Sequence, residues 1–305
     1  MSGSGALTAG DLLTLPELRG LRRTSALRGA GLVVHAWAVI AGAMLLYAAW
    51  PSVLTLLVAV AVIGTRQLGL AILMHEAAHW LLFPSQPANT RVGAWLCAHP
   101  VFGDLPGYRR RHHLHHRHAQ QPDDPDLALT TSWPMTRGAF WLAVLRDLTG
   151  VSALARLLAW RPWRPDASPA WRRLRGPVAA NALLLGGRSA AGQWQLYLLL
   201  WVLPLATWYQ LVTRIRSVAE HALAPDVDDP LRNTRTTRAR FLERALVAPY
   251  WMNFHLEHHL LVFVPCWRLP DAHAVLLAKG HGPSMELAPS YLDVIHRATT
   301  VRSAS

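Results

Sequence analysis

Between residues 29 and 74 the chain carries one charged side chain, Arg66, and one proline, Pro51, which splits the stretch in two. Each half, residues 29–50 and 52–74, is about 20 residues, long enough to cross the roughly 30 Å hydrocarbon layer once. A lipid core offers no water to backbone groups, so a run of this kind must close its hydrogen bonds internally as a helix. The pair therefore predicts a helical hairpin. The flank before it holds Arg19, Arg22, Arg23 and Arg28, whereas the connection at residues 48–52 is uncharged. That asymmetry places the N-terminus on the cytoplasmic side. Arg66 and Gln67 interrupt the second run, so its last turns are expected to face protein rather than lipid.

Composition agrees. The chain is 52% hydrophobic and 16% charged, against roughly 25% charged in soluble domains. Its net charge of +12 is almost all arginine, because Lys279 is the only lysine. In a soluble protein such an excess points to nucleic acid. Here the arginines flank apolar segments, which suits anionic headgroups, and no nucleic-acid partner is expected. Cys97 and Cys266 are too few and too isolated for a disulfide framework or a thiolate site, and read as small apolar fillers. The first apolar run begins only near Gly29 and continues into a full span, unlike a cleavable leader.

A second apolar pair, residues 176–187 and 193–213, is followed by Arg214 and Arg216. It reads as a second hairpin whose first arm is short. Residues 89–105 read as interfacial or re-entrant. Residues 138–160 carry Arg146, Asp147 and Arg156 within an amphipathic pattern, as an in-plane helix does. Residues 161–175, rich in Trp, Arg and Pro, read as a headgroup-level linker. Nothing from residue 215 onward is long and apolar enough to cross. The expectation is an all-α polytopic membrane protein of four transmembrane helices in two hairpins, with a cytoplasmic helical cap. It forms one unit over residues 1–305: a cytoplasmic segment 1–28, hairpins 29–74 and 176–213, interfacial residues 75–175, and a cap 214–305. An inner (cytoplasmic) membrane location follows.

The histidines cluster at one level of that topology. His75 and His79 sit one turn apart at the end of the second span. Residues 108–126 read YRRRHHLHHRHAQQPDDPD. At about 100° per residue, His115 and His116 fall at about −60° and +40° from His112, so the three share a helix face. His113 and His118 fall outside that arc. Residues 253–260, NFHLEHHL, repeat the H-x-x-H-H spacing with His255, His258 and His259, and His221 lies about two turns past the last span. These nine imidazoles exceed what one ion can use, and two ions fit the count better. All-nitrogen ligation with an open side suits iron that activates oxygen, although zinc and copper also accept imidazole. Lone His35 reads as a packed or interfacial histidine, and His113, His118 and His273 as surface or supporting residues. Glu76, Glu220 and Glu257 stand beside candidate ligands and are placed to orient them, with Asn253 a weaker candidate. Asp123, Asp124 and Asp126 are expected to cap a turn or pair with Arg109–Arg111.

The boxes HEAAH, HHLHH and HLEHH, in this order and together with RSVAEHA and VPCWRLP, resemble the membrane fatty acid desaturase/hydroxylase superfamily over residues 74–270. The resemblance implies two iron ions, O2 as co-substrate and a lipid or fatty-acyl substrate. It also implies a separate electron donor of ferredoxin or cytochrome b5 type. Carried over by position, the ligands are His75, His79, His112, His115, His116, His221, His255, His258 and His259. Two departures stand out: the first box has the shorter spacing, and no fused cytochrome motif is present, since His99-Pro100 runs into Val101. A fatty-acyl desaturase is the leading reading, and a lipid or carotenoid hydroxylase or ketolase the alternative. The substrate path is expected to be a narrow apolar tunnel lined partly by tryptophans. HEAAH is also literally H-E-x-x-H, the zinc protease signature with Glu76 as base, but that reading leaves both H-x-x-H-H clusters unused. A metal store or transporter would string its polar residues along the spans instead.

Overall fold

The computed structural model describes residues 7–159 and 169–300, so most of the expected linker at 161–175 lies outside the described residues. Two short helices, α1 (Ala9–Leu12) and α2 (Leu15–Leu21), precede the hairpin of α3 (Ala26–Ala49) and α4 (Val53–Ala78). Ser25 and Ser52 start the long helices by accepting a backbone N–H from the third residue onward, which satisfies a donor that the first turn leaves open. Both are apolar on every side, yet α3 buries only Gly29, Val33, Ala36, Ile40 and Ala43. That four-three-four-three spacing is one stripe, and it packs on α4. At Gly29 a Cβ would stand 1.9 Å from the Leu82 carbonyl oxygen, so only glycine allows the helix this close. Leu27, Val34, Leu45, Val53 and Leu54 remain exposed, as lipid-facing residues do.

The lower half of α4, from Ile63 to Ala78, is buried on every side except at Ala71. Arg66 and Gln67 face protein as expected: Arg66 donates to the Ala245 carbonyl at 2.8 Å and Gln67 to the Trp201 carbonyl at 2.8 Å. His35 is exposed on α3, with its Nδ1 3.1 Å from the Tyr250 hydroxyl. Residues 86–101 form one continuous helical run, α5 (Gln86–Val92) passing into a π-helical and then a 3-10 turn. α6 (Leu105–His118) carries the second histidine box. The expected in-plane helix divides at Gly150, whose φ is +79°, into α7 (Arg137–Leu148) and α8 (Val151–Ala159).

Helix α9 (Ala170–Ala190) runs 21 residues but contains three arginines in its first two turns, Arg188 in its last, and Pro177 inside. It is followed by a rod from Trp194 to His221: α10 (Trp194–Tyr197), a π-helical stretch, α11 (Leu203–Ala206) and α12 (Trp208–His221). Pro204 removes a backbone donor within the rod, a recognised cause of local departure from α geometry. Among the described residues, three helices are long and apolar enough to cross a membrane: α3, α4 and this rod. The remaining elements form a cap at the histidine end. They are β1 (Thr236–Thr237), α13 (Phe241–Leu246), α14 (His255–Leu260), α15 (Leu269–Ala278), β2 (Leu287–Ala288) and α16 (Tyr291–Ala298). The two strands pair in parallel, Thr236 opposite Leu287. Cys97 and Cys266 are free and buried.

Candidate metal centre

Four chain segments, the ends of α4 and α12 together with α6 and α14, meet where the spans enter the cap. Arg109 of α6 turns back onto the end of α4, donating to the Ala78 and Ala77 carbonyls at 3.0 and 2.9 Å. A helix end leaves such carbonyls unpaired, so the guanidinium closes α4 and ties the first histidine box to the second. The same side chain lies 3.6 Å over the Trp80 ring. Arg235 performs a matching task for α12: it is 3% exposed and donates to the Ala219, Ala222 and Leu223 carbonyls, with Glu286 holding its Nε at 2.9 Å. His221 is therefore fixed at the end of a closed helix.

All nine histidines expected as ligands come together, in two groups. His75, His79, His112, His116 and His258 form one; His115, His221, His255 and His259 form the other. Within each group one ring nitrogen per residue lies within 4.8 Å of the rest. The H-x-x-H-H boxes thus divide their histidines: His112 and His116 face one group and His115 the other, while His258 separates from His255 and His259. His116 and His259, one from each group, stack at 4.1 Å between ring centres.

The donor set suits a cation. His116 Nε2 lies 3.0 Å from both His112 Nε2 and His258 Nε2, and His255 Nε2 lies 2.9 Å from His221 Nε2. One His116 nitrogen cannot hold protons toward both neighbours, so lone pairs converge. Imidazoles that share one ion through bonds of about 2.1 Å show a similar spacing. Both ring nitrogens of His75 and the Nε2 atoms of His79 and His259 are buried with no hydrogen-bond partner. Such orphaned groups are costly unless something absent from the protein atoms satisfies them. Burial holds His112, His116, His255, His258 and His259 well below the usual imidazole range. It lowers His79 to about 3. These rings are neutral at pH 7, the form that binds metal.

Carboxylates orient some of the rings. Asp124 Oδ1 lies 2.9 Å from His115 Nδ1, leaving Nε2 for the centre. Burial alone would raise the Asp124 pKa, but hydrogen bonds from His115 and the Asp126 backbone outweigh it and lower it. Glu76 Oε1 is 3.5 Å from His75 Nδ1 and Glu220 Oε1 is 3.6 Å from His255 Nδ1. Glu257 departs from expectation: it touches none of the nine, but accepts from Thr236 and lies 2.6 Å from His273 Nδ1. Asn253 donates to the Thr237 carbonyl. Of the arginine triplet only Arg111 pairs with the acidic cluster, at Asp126. His113 is exposed.

A cavity of about 540 Å³ opens onto both groups, reaching His112 of the first and His115, His221 and His255 of the second. Its α4 wall is apolar, with Leu68, Ala71 and Met74, and its α12 wall is polar. No tryptophan lines it, which corrects the expectation of an apolar tunnel with tryptophan walls. The rod's average hydropathy concealed the polar residues spaced along one of its faces.

Comparison with known proteins matches this architecture. Dihydrorhizobitoxine desaturase of Bradyrhizobium elkanii is 29% identical over 236 residues, 71% of this chain and 66% of the relative. The chain thus spans just under two thirds of that protein's length. Beta-carotene ketolase of Paracoccus sp. (strain PC1) is 28% identical over 276 residues, 88% of this chain and 96% of the relative. A second Paracoccus beta-carotene ketolase (strain N81106 / MBIC 01143) is 29% identical over 214 residues, 67% of this chain and 73% of that relative. The sequence model for fatty acid desaturases matches residues 48–286, a stretch that takes in all nine clustered histidines, and the chain belongs to that family.

Proposed function

We propose that this protein is an O2-dependent di-iron membrane oxidase, foremost a desaturase of an acyl-type chain, with the nine histidines as its ligands. The observation that supports this is the division of the imidazoles into two adjacent groups with converging lone pairs. Two irons held there would supply the activation of O2 that removes hydrogen from an unactivated C–H bond. The protein's own contribution is to hold the rings neutral and aimed. Asp124 fixes His115, Glu220 supports His255, and Arg109 and Arg235 anchor the helices behind them. His255 and His258 are 1% and 0% exposed, so their rings are shielded from bulk solvent. The mixed walls of the adjoining cavity seat the chain against His112 and His115.

In this reading α9 is the fourth crossing, the histidine end faces the cytoplasm of an inner membrane, and residues 1–305 form one unit. Electrons come from a separate ferredoxin or cytochrome b5 type protein. The chain's net charge of +12 favours an acidic partner. The ketolase relatives support a second outcome, oxygen insertion on the same scaffold. Glu76 weighs against a zinc protease, because its carboxylate accepts the Cys266 N–H at 2.9 Å and is fully buried instead of facing an attacking water.

Metal analysis of purified protein tests the centre: about two irons per chain are expected, and one zinc with peptidase activity would overturn the reading. Expression in a bacterium, with mass spectrometry of its lipids and small acids, tests the reaction. Loss of two hydrogens marks desaturation; gain of an oxygen marks hydroxylation. No iron-dependent change in either pool would sink both outcomes.

A further inference from the structure

The cavity beside the histidines has two unlike walls, and the difference lies on α12. Tyr209, Thr213, Arg216, Ser217 and Glu220 all line it. Their spacing of four, three, one and three residues puts them on one helix face. A spanning helix turns such a face away from lipid. Opposite stand Leu68, Ala71 and Met74 of α4, at i, i+3 and i+6. A hydrocarbon chain lying there would touch methyl groups on one side and hydroxyl and guanidinium groups on the other. The buried Thr213 hydroxyl sits against that of Tyr209, so this face presents a polar strip that a polar ligand satisfies better than an apolar one.

The charges in the cavity do not cancel. Arg111 is held by Asp126, Arg216 by Glu220 at 2.6 Å, and Asp124 by His115. Each acid on the wall is therefore engaged. Arg156 of α8, exposed at the rim, also lines the cavity and has no carboxylate partner among the described residues. One guanidinium is left over, on the side of the cavity that holds Tyr209. Guanidinium forks bind carboxylate or phosphate through paired hydrogen bonds.

We propose that the substrate is an amphiphile with an anionic head read by Arg156 and with polar atoms along the edge that faces α12. This rests on the oxidase reading and narrows its substrate class away from a plain hydrocarbon. Tyr209, Thr213 and Ser217 offer hydroxyls to acceptors in the chain, while Leu68, Ala71 and Met74 cover its apolar edge. The head group stays at the rim and the middle of the chain reaches the histidines.

Binding to the metal-free protein in nanodiscs, followed by isothermal titration calorimetry, tests this independently of catalysis. The probes are decanoate, decyl phosphate, decan-1-ol and butoxyethoxyacetate, an ether carboxylate of the same chain length as decanoate. Either anion should bind about tenfold more tightly than decan-1-ol, and the better one identifies the head group. The ether carboxylate should match or exceed decanoate despite its lower hydrophobicity. Arg156→Ala should erase the preference for the anion while decan-1-ol binding stays unchanged, which also reports an intact fold; Arg156→Lys should retain part of it. Equal binding of decan-1-ol and both anions, an unchanged preference in Arg156→Ala, or decanoate outbinding the ether carboxylate tenfold would each overturn the proposal. Iron content of the same protein purified without metal removal separates such a failure from failure of the oxidase reading.

Discussion

At the scale of single residues the two histidine groups make separable demands. His258→Ala removes a donor from the group of five, and His221→Ala one from the group of four. Each variant is expected to lose about one of two irons per chain with the fold retained, as inductively coupled plasma analysis would show. An equal loss of both metals from both variants would mean that the groups do not act as separate sites. The buried rings also set a pH dependence. His79 is lowered to about 3 from 6.5, so the unfolded chain binds the proton first as pH falls. Above about pH 6.5 neither state is protonated and burial costs nothing; below it the folded state loses stability progressively toward pH 3. The metal-free protein should therefore melt at a steady temperature from pH 8 to 7 and at falling temperatures from pH 6.5 to 5. That His112, His115 and His116 share a face was legible in the sequence, because helix geometry is local. The parting of His115 from its neighbours was not, since it depends on where α14 and α12 dock. Asp124 was legible as an acid near the arginines; only the turn that follows α6 shows it holding His115.

At the scale of elements, the centre depends on two helix ends, each closed by an arginine from elsewhere in the chain. Arg109→Ala would unpair the Ala78 carbonyl, remove a second donor from that of Ala77, and release α6 from α4. A loss of about 1.5–3 kcal/mol is expected from charged hydrogen bonds of this kind, measured by thermal unfolding, with weaker iron retention alongside. Arg235→Ala should do the same to α12, and a stability equal to the parent protein would contradict this role. Neither arginine carried a sequence signal: Arg109 sits in a basic triplet and Arg235 in a polar loop. The hairpin of α3 and α4 was legible almost residue by residue, because lipid allows so few solutions to an uncharged run. The rod's polar face was legible in principle, since the spacing of Tyr209, Thr213, Arg216 and Glu220 can be counted. Averaging over the apolar residues between them hid it.

At the scale of the whole molecule, the arrangement of crossings follows from α9. Both native cysteines are buried, so single cysteines at exposed Ser52, Gly192 and Leu292 report sidedness against a quiet background. With two hairpins, Ser52→Cys and Gly192→Cys react with an impermeant maleimide in intact cells, and Leu292→Cys only after lysis. Protection of position 192 in intact cells while position 52 reacts would remove the fourth crossing.

The group of five joins His75 to His258 across most of the chain's length. A ribosome that stopped before residue 255 would release a protein with both hairpin regions made, yet with four donors in one group and two in the other. Iron capture thus becomes a certificate of completed synthesis, and truncated copies in the bilayer should stay colourless and inert toward oxygen.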